Sequence, residues 1–392
     1  MPWESTTVTE DRVRFVLAYQ REVLSRRISM AALCARFNVS RKTGYKFIGR
    51  HQAEGWAGLD DRSRAPLSGS HWTGEAARAQ ILELKQESPD FGAKKIRALL
   101  EMIDEEGPWP STSAIHTALK REGWVRQPPH RRRYPHPGTA AQPELTAPNQ
   151  EWATDFKGQF RTRDRRYCYP LTIADNFSRY LLACEPLAKP TFEDTWRVFE
   201  RTFREHGLPE AIRSDNGTPF AAASIGRLSR LSVRWIRLGI QPRLITPGKP
   251  QQNGRLERLH RTLKDAVCTE PAATRAAQKK AMDAFRERYN YKRPHESLDQ
   301  KLPASRYANS PRPFPNKLPE ISYPSGVEAR RVNANGVVKW HRQEIFLSEV
   351  LTGETVGLEL VGDGIWIVKF AFVPLGYYSE RAKKFFYDAP PA

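Results

Sequence analysis

Apolar positions recur at helical steps through the first third of the chain. Val13, Val16, Leu17, Val23 and Leu24 share one face of the segment from Asp11 to Leu24. Ser29 suits an N-cap before Met30–Phe37, and Ser40 suits one before the basic stretch Arg41–Ile48. With the short Asn38-Val39 turn between them, these predict a helix-turn-helix domain over residues 1–54. In that motif the last helix enters the major groove, its early residues against base edges. Arg41, Lys42, Thr43, Tyr45 and Lys46 are therefore the candidate DNA contacts. A plain three-helix packing unit would show the same periodicity. A second helix-turn-helix-like domain is expected over residues 71–125, from Glu75–Glu87, Phe91–Leu100 and Thr112–Glu122, the last capped by Ser111 and ended by Gly123. Two linked readers would gain affinity through effective concentration.

Residues 126–150 break the pattern with six prolines and the run Arg131-Arg132-Arg133, which predicts a semi-extended linker. Those arginines suit phosphates and solvent equally. From Glu151 the period changes to that of strands. Trp152–Phe160, Tyr167–Ala174 and Arg179–Glu185 read as three strands, followed by a helix from Thr191 to His206. Ala211–Ser214 and Gln241–Ile245 are two more, with a helix from Arg227 to Leu238 between them and another, Gln278–Tyr291, further on. Consecutive strands followed by strand–helix alternation predict an α/β domain with a mixed five-stranded sheet over residues 151–308. In residues 327–385 the runs Val337–Trp340, Glu344–Leu347, Thr355–Leu360 and Gly364–Phe370 predict a small SH3-like β-barrel, for DNA binding or for assembly. The whole chain is thus expected to be multidomain α+β.

Charge changes this picture from architecture to partners. The 63 Lys and Arg against 44 Asp and Glu leave a formal charge of +19. So large an excess favours polyanions, nucleic acid above all. No apolar run approaches membrane-spanning length, and Met1–Glu10 lacks the marks of a signal peptide, so a soluble intracellular protein with no membrane partner is expected. Cys34, Cys168, Cys184 and Cys268 are scattered without metal-ligand spacing, which argues against structural zinc or a disulfide framework.

Three carboxylates carry the candidate chemistry. After Gly254, Leu256, Leu259, Leu263 and Val267 form an apolar helical stripe, and Glu257, His260, Arg261 and Lys264 follow the same steps rotated by one residue. An ordinary Glu257–Arg261 helix pair would explain this, worth a few tenths of a kcal/mol. Yet Asp155 lies inside the first strand, Asp215 directly after the fourth, and Glu257 on the helix after the fifth. Open α/β sheets gather their sites at such strand ends. Locally, Asp155 also reads as a paired strand carboxylate and Asp215 as an Asp-Asn-Gly turn residue. Carboxylates with few nearby thiols or imidazoles suit Mg²⁺ or Mn²⁺. Two such ions about 3.5–4 Å apart serve phosphodiester chemistry.

Several ordered motifs, namely Trp152–Gly158, Asp175–Tyr180, Ser214–Phe220, Pro250–Glu257 and Tyr289–Leu298, resemble the catalytic core of the retroviral-integrase superfamily, bacterial insertion-sequence transposases in particular. The resemblance implies an RNase H-like fold, with Asp155, Asp215 and Glu257 as catalytic metal ligands for two Mg²⁺ (or Mn²⁺) ions. It implies a DDE-type transposase, a polynucleotidyl transferase with an endonuclease step, that exposes 3′-hydroxyls at element ends and joins them to target DNA. DNA is then the partner, with a homo-oligomer assembled on it in the bacterial cytoplasm at the nucleoid, and without a small-molecule cofactor. A catalytically inactive, sequence-specific DNA-binding regulator is the alternative. His260, Arg261 and Lys264 would line the floor under the scissile strand. The 41 residues between Asp215 and Glu257 exceed the family's usual gap, and the surplus is assigned to Ala221–Gly226. Asp175 is expected to cap a strand end near Arg179.

Overall fold

Helix α1 (Val8–Ala18) runs on as a π-helical turn to Val23, and two serine-capped helices pack against it. Ser29 Oγ accepts from Ala32 N at 3.2 Å to start α2 (Met30–Arg36), and Ser40 Oγ accepts from Thr43 N at 3.1 Å to start α3 (Arg41–Glu54). Their shared core is Phe15, Val16, Leu33, Cys34, Ile48 and Leu59. Gly44 lets α3 approach: a Cβ there would lie 2.7 Å from Met30 Cε and 2.8 Å from both Cys34 Sγ and Phe15 Cζ. In this computed structural model the described residues are 8–62, 74–125, 144–222 and 224–387, and the chain divides into two units, residues 1–72 and 73–392. Most of the expected linker, with Arg131, Arg132 and Arg133, lies outside the described residues.

The second unit begins with α4 (Glu75–Glu87), α5 (Ala93–Ile103) and α6 (Thr112–Arg121), closed around Ile81, Phe91, Ile96, Leu100, Ile115 and Leu119. It is joined to the sheet domain by Asp90, which pairs with both Arg288 and Arg293. The same two guanidiniums lie 5.2 and 5.3 Å over the Phe91 ring.

The sheet domain runs β1 (Glu151–Phe156), β2 (Phe160–Arg161), β3 (Tyr167–Asp175), β4 (Leu181–Leu187), α7 (Phe192–His206), β5 (Ala211–Ser214), α8 (Arg230–Arg237), β6 (Gln241–Leu244), α9 (Gly254–Leu263) and α10 (Arg275–Tyr291). The sheet is mixed: β1 pairs antiparallel with β3 and parallel with β5, and β5 pairs parallel with β6. It has six strands rather than the expected five, because the run from Trp152 to Phe160 breaks after Phe156. The residue facing Lys157 is Pro170, which accepts from Lys157 N at 2.9 Å but has no N–H to return. Alternation sends Trp152, Leu171 and Ile173 to one face against Phe199, Phe203, Leu231 and Trp235 of α7 and α8. Ala153, Ala174 and Leu181 face Leu256, Leu259 and Leu263 of α9 and Met282 and Phe285 of α10. Helix α8 starts three residues later than its apolar periodicity predicts. Gly226 and Arg227 take positive φ (59° and 57°), and Ser229 closes a capping box with Ser232.

The C-terminal strands are β7 (Val327–Arg331), β8 (Val337–Trp340), β9 (Gln343–Phe346), β10 (Thr355–Gly362), β11 (Ile365–Phe370), β12 (Val373–Ser379) and β13 (Lys384–Phe386). They correct the expected β-barrel. Five form an open antiparallel sheet in the order β13-β12-β11-β10-β7, and β8–β9 is a separate hairpin; among the described residues no sheet closes. The apolar face that a barrel would bury by curling is covered from outside. Val338, Trp340 and Ile345 of the hairpin, and Ile225, Leu228, Val233 and Ile236 of the sheet domain, pack on Val356, Leu358, Val368, Phe370 and Leu375. No described helix is long and apolar enough to cross a membrane.

Candidate active site

The pairing of β1 with β5 sets the geometry. Glu151 faces Ala211, Trp152 faces Ile212 and Ala153 faces Arg213. Continued two residues further, that register brings Asp155 beside Asp215, the residue just past the end of β5. Neighbouring strands lie about 4.8 Å apart. The Asp-Asn-Gly turn is braced on both sides: Asp215 Oδ1 accepts from Gly217 N at 3.2 Å, and Asn216 Nδ2 donates to Ile245 O, beyond β6, at 2.9 Å.

Helix α9 brings the third carboxylate. Its Leu256, Leu259 and Leu263 are buried under the sheet, which leaves Glu257 exposed in the first turn. His260, expected at a DNA-facing surface, is instead buried, with Nε2 2.7 Å from Thr172 Oγ1. Thr172 is the β3 residue paired with Asp155, and its hydroxyl donates to the Asp155 carbonyl at 3.2 Å. Thr172 having given its one proton there, the network assigns the His260 proton to Nε2 and leaves Nδ1 bare. Nδ1 stands 3.8 Å from Asp155 Oδ2. Burial, and then the charge of Lys157, push the His260 pKa down to about 4, so at neutral pH this contact is not an ion pair.

The carboxylates are poor neighbours on their own. Burial first, then Asp215, with Glu257 adding to it, raises the Asp155 pKa to about 7. Burial also raises that of Asp215. Flanking Asp215, Ser214 Oγ and Asn216 Oδ1 are buried without a hydrogen-bond partner among the described residues. The donor set is therefore hard oxygen, but it is open. Among the described residues no three acidic, His or Cys side chains close around a point as a cage. That arrangement fits Mg²⁺, which takes one or two carboxylates and completes its shell with water and substrate phosphate.

The remaining candidates are placed differently. Arg261 is exposed on α9, and Lys264 is exposed at the start of the π-helical turn that continues it. Arg41, Lys42, Tyr45 and Lys46 are exposed on α3, whereas Thr43 is half-buried with its hydroxyl 2.9 Å from Ser40 Oγ. Asp175 is a structural cap: Oδ1 accepts from Ser178 N at 2.7 Å and Ser178 Oγ at 2.6 Å, and Oδ2 from Asn149 N at 2.8 Å. The acid that sequence reasoning overlooked is Glu151. Fully buried, it accepts from Arg213 at 2.9 Å through both oxygens, from Arg243 at 2.9 Å and from Asn176 at 2.8 Å. It thus ties β1, β5, β6 and the turn after β3 together. Its one sequence signal is an acid opening an apolar strand, with arginines in two later strands.

An integrase core domain model matches residues 146–250, and a second of the same description matches residues 238–303. A helix-turn-helix domain model matches residues 11–66 and a homeodomain-like domain model residues 43–119. The chain is 28% identical over 238 residues to the insertion element IS407 uncharacterized 31.7 kDa protein of Burkholderia multivorans, covering 59% of this chain and 80% of that one. It is 30% identical over 241 residues to the insertion element IS476 uncharacterized 39.2 kDa protein of Xanthomonas euvesicatoria, covering 60% of this chain and 65% of that one. The catalytic core domain of HTLV-2 integrase, solved with magnesium, overlaps 41% of this chain and 98% of its own at 16% identity, with a TM-score of 0.33, too loose to support an inference. With integrase-core matches across the sheet that carries the three carboxylates, and helix-turn-helix matches ahead of it, the chain belongs to the insertion-element and retroviral-integrase superfamily, whose cores are RNase H-like and of DDE type.

Proposed function

We propose that the chain is a DNA transposase. It binds the ends of a mobile element, cleaves them to expose 3′-hydroxyls and joins those to target DNA. The observation that carries this reading is the placement of Asp155 beside Asp215 at the ends of adjacent parallel strands, with α9 and its Glu257 held against them through His260 and Thr172. Asp155, Asp215 and Glu257 are the ligands for Mg²⁺ or Mn²⁺, two ions in the full complex. When bound, these ions supply activation of the attacking oxygen and stabilisation of the leaving one.

The chain's own residues do the rest. Asp155 and Asp215 present oxygens from rigid strand ends, so the acceptor geometry does not need to form on binding. Neutral His260 keeps a lone pair, not a positive charge, toward Asp155, and so does not compete with a cation for that carboxylate. Arg261 and Lys264 hold backbone phosphates beside the reacting bond. Arg41, Lys42, Thr43, Tyr45 and Lys46 read the element end, and Arg131, Arg132 and Arg133 follow the intervening phosphates. Two ends must be cut and joined together, so the working form is a homo-oligomer on DNA, in the bacterial cytoplasm at the nucleoid. Relatives encoded by insertion elements of two bacteria support that setting.

The test is an in vitro cleavage and joining assay on the DNA that flanks the coding region, where this reading expects inverted repeats. Asp155→Asn, Asp215→Asn and Glu257→Gln are each expected to abolish Mg²⁺-dependent cleavage and joining while duplex binding persists. Full activity in any one of them would remove that residue from the ligand set.

A further inference from the structure

A cleft of about 440 Å³ opens where the Asn176–Arg179 turn, the start of α9 and the segment around Lys301 and Arg306 meet. Four cationic side chains line it, Arg179, Arg255, Lys301 and Arg306, against two acids, Glu144 and Asp299. The balance is positive, and the two arginines at its centre have no acid of their own. Arg213, by contrast, is paired with Glu151, and Arg288 and Arg293 with Asp90. In the cleft, Arg255 Nη1 donates to the Asn176 carbonyl at 2.8 Å, and Arg179 Nη1 donates to the same oxygen. Arg179 Nε reaches only Ser297 Oγ, at 3.4 Å. Two guanidiniums thus share one neutral acceptor. Among the described residues no carboxylate lies within ion-pair distance of Arg179, Arg255, Lys301 or Arg306.

A guanidinium carries five N–H donors in a planar fork that matches phosphate oxygens. Arg179 and Arg255 leave most of theirs unused. Burial, then the charge of Arg255, lowers the Arg179 pKa to about 10, a repulsion that an anion in the cleft would relieve. At the rim Arg306 stacks over the Phe177 ring at 5.6 Å, which holds its charge at the opening. The volume exceeds what a bare phosphate needs and leaves room for its sugar.

Position narrows the ligand further. Trp152 faces Asp175 and Asp155 faces Thr172, so the turn at Asn176 lies about four residues, roughly 13 Å, along the strands from Asp155. At about 3.4 Å of axial rise per nucleotide, that is a few nucleotides from a bond held at the carboxylates. We propose that this cleft is a phosphate subsite in which Arg179, Arg255 and Arg306 hold one backbone phosphodiester of the DNA, a few nucleotides from the bond that is cut. The assignment rests on the transposase reading above. It separates positioning of the strand from chemistry on it, because the subsite works without metal.

The test uses the full chain in EDTA with a labelled duplex, and measures binding as a function of salt. Arg306→Gln, at an exposed position, and Arg255→Gln are each expected to lower the slope of log K against log salt by about 0.9, one phosphate's share of counterion release. Thermal melts of each variant check the fold. A second arm compares melting in inorganic phosphate and in chloride at matched ionic strength. Phosphate should stabilise the wild-type chain and lose that effect in Arg306→Gln. An unchanged salt slope in Arg306→Gln, with the fold intact and the wild type binding DNA, overturns the proposal. If phosphate stabilisation alone is lost, the cleft takes a free anion and the assignment to a DNA strand falls. A wild-type chain that binds no DNA overturns the transposase reading and the strand assignment with it, and the phosphate arm then reports on the cleft alone.

Discussion

At the scale of residues, Asp155 and Glu151 sit four positions apart on one strand and show two fates of a buried acid. Burial alone would raise the Glu151 pKa, but hydrogen bonds and charge from Arg213, Arg243 and Asn176 hold it below the ordinary value. Asp155 has no such partner, and its pKa moves from 3.8 to about 7. A folded-state value above the unfolded one means that the native state holds a proton the unfolded chain has released. The stabilisation is complete below about pH 4 and is lost as pH rises through 7. At 1.36 kcal/mol per pKa unit, the metal-free site then costs on the order of a few kcal/mol. Asp155→Asn should therefore melt above the wild type at pH 8 in EDTA, with the difference closing by pH 4. Mg²⁺ should raise the wild-type melting temperature at pH 8 far more than that of the variant. Coincident wild-type and variant melts across this range would show that Asp155 is not strained. The strand-end positions of Asp155 and Asp215 were legible because their flanking motifs are local. The burial of His260 was not. It lies four residues after Leu256 and three before Leu263, so it belongs to the apolar stripe as much as to Glu257's.

At the scale of elements, α9 has two jobs: its leucines close the sheet, and its outer side is left with Glu257, Arg258 and Arg261 exposed, followed by Lys264 just past its end. If Arg261 and Lys264 meet phosphates, Arg261→Ala and Lys264→Ala should each weaken DNA binding and lower its salt slope by about 0.9. Equal slopes would place this side of the helix away from the duplex. Helix starts were readable where a side-chain oxygen fixes them, as at Ser29, Ser40 and Ser111. The C-terminal strands were only partly so. Val327–Arg331 reads as polar because it is an edge strand of the open sheet. Alternation in β10 and β11 shows that one face is buried, but not what buries it. Closure into a barrel and cover by a foreign helix leave the same pattern in the strands.

At the scale of the whole molecule, the surplus length between Asp215 and Glu257 acquires a purpose. Within the stretch to which it was assigned, Ile225 is buried in the core of the C-terminal sheet, and Gly226 lies against Leu375. Helix α8 is consequently apolar on two sides. Leu231 and Trp235 serve the sheet of β1–β6, whereas Val233 and Ile236 serve the C-terminal one. Its basic residues are consumed in holding it there: Arg237 pairs with Glu354 at 3.3 Å, and Arg230 and Arg234 stack over Phe192 at 4.1 and 4.9 Å. Removal of residues 320–392 would uncover Ile225, Leu228, Val233 and Ile236 together, at about 1.5–3 kcal/mol for each fully buried side chain. The truncated chain should melt well below the full chain and bind a hydrophobic dye. A truncated chain that melts with the full one would mean that the sheets are independent. The coupling also determines what the C-terminal sheet is able to do. Clamped through α8, it is a fixed jaw and not a bead on a string. Anything it grips is held at a set distance from Asp155 and Asp215, so the molecule carries its own caliper.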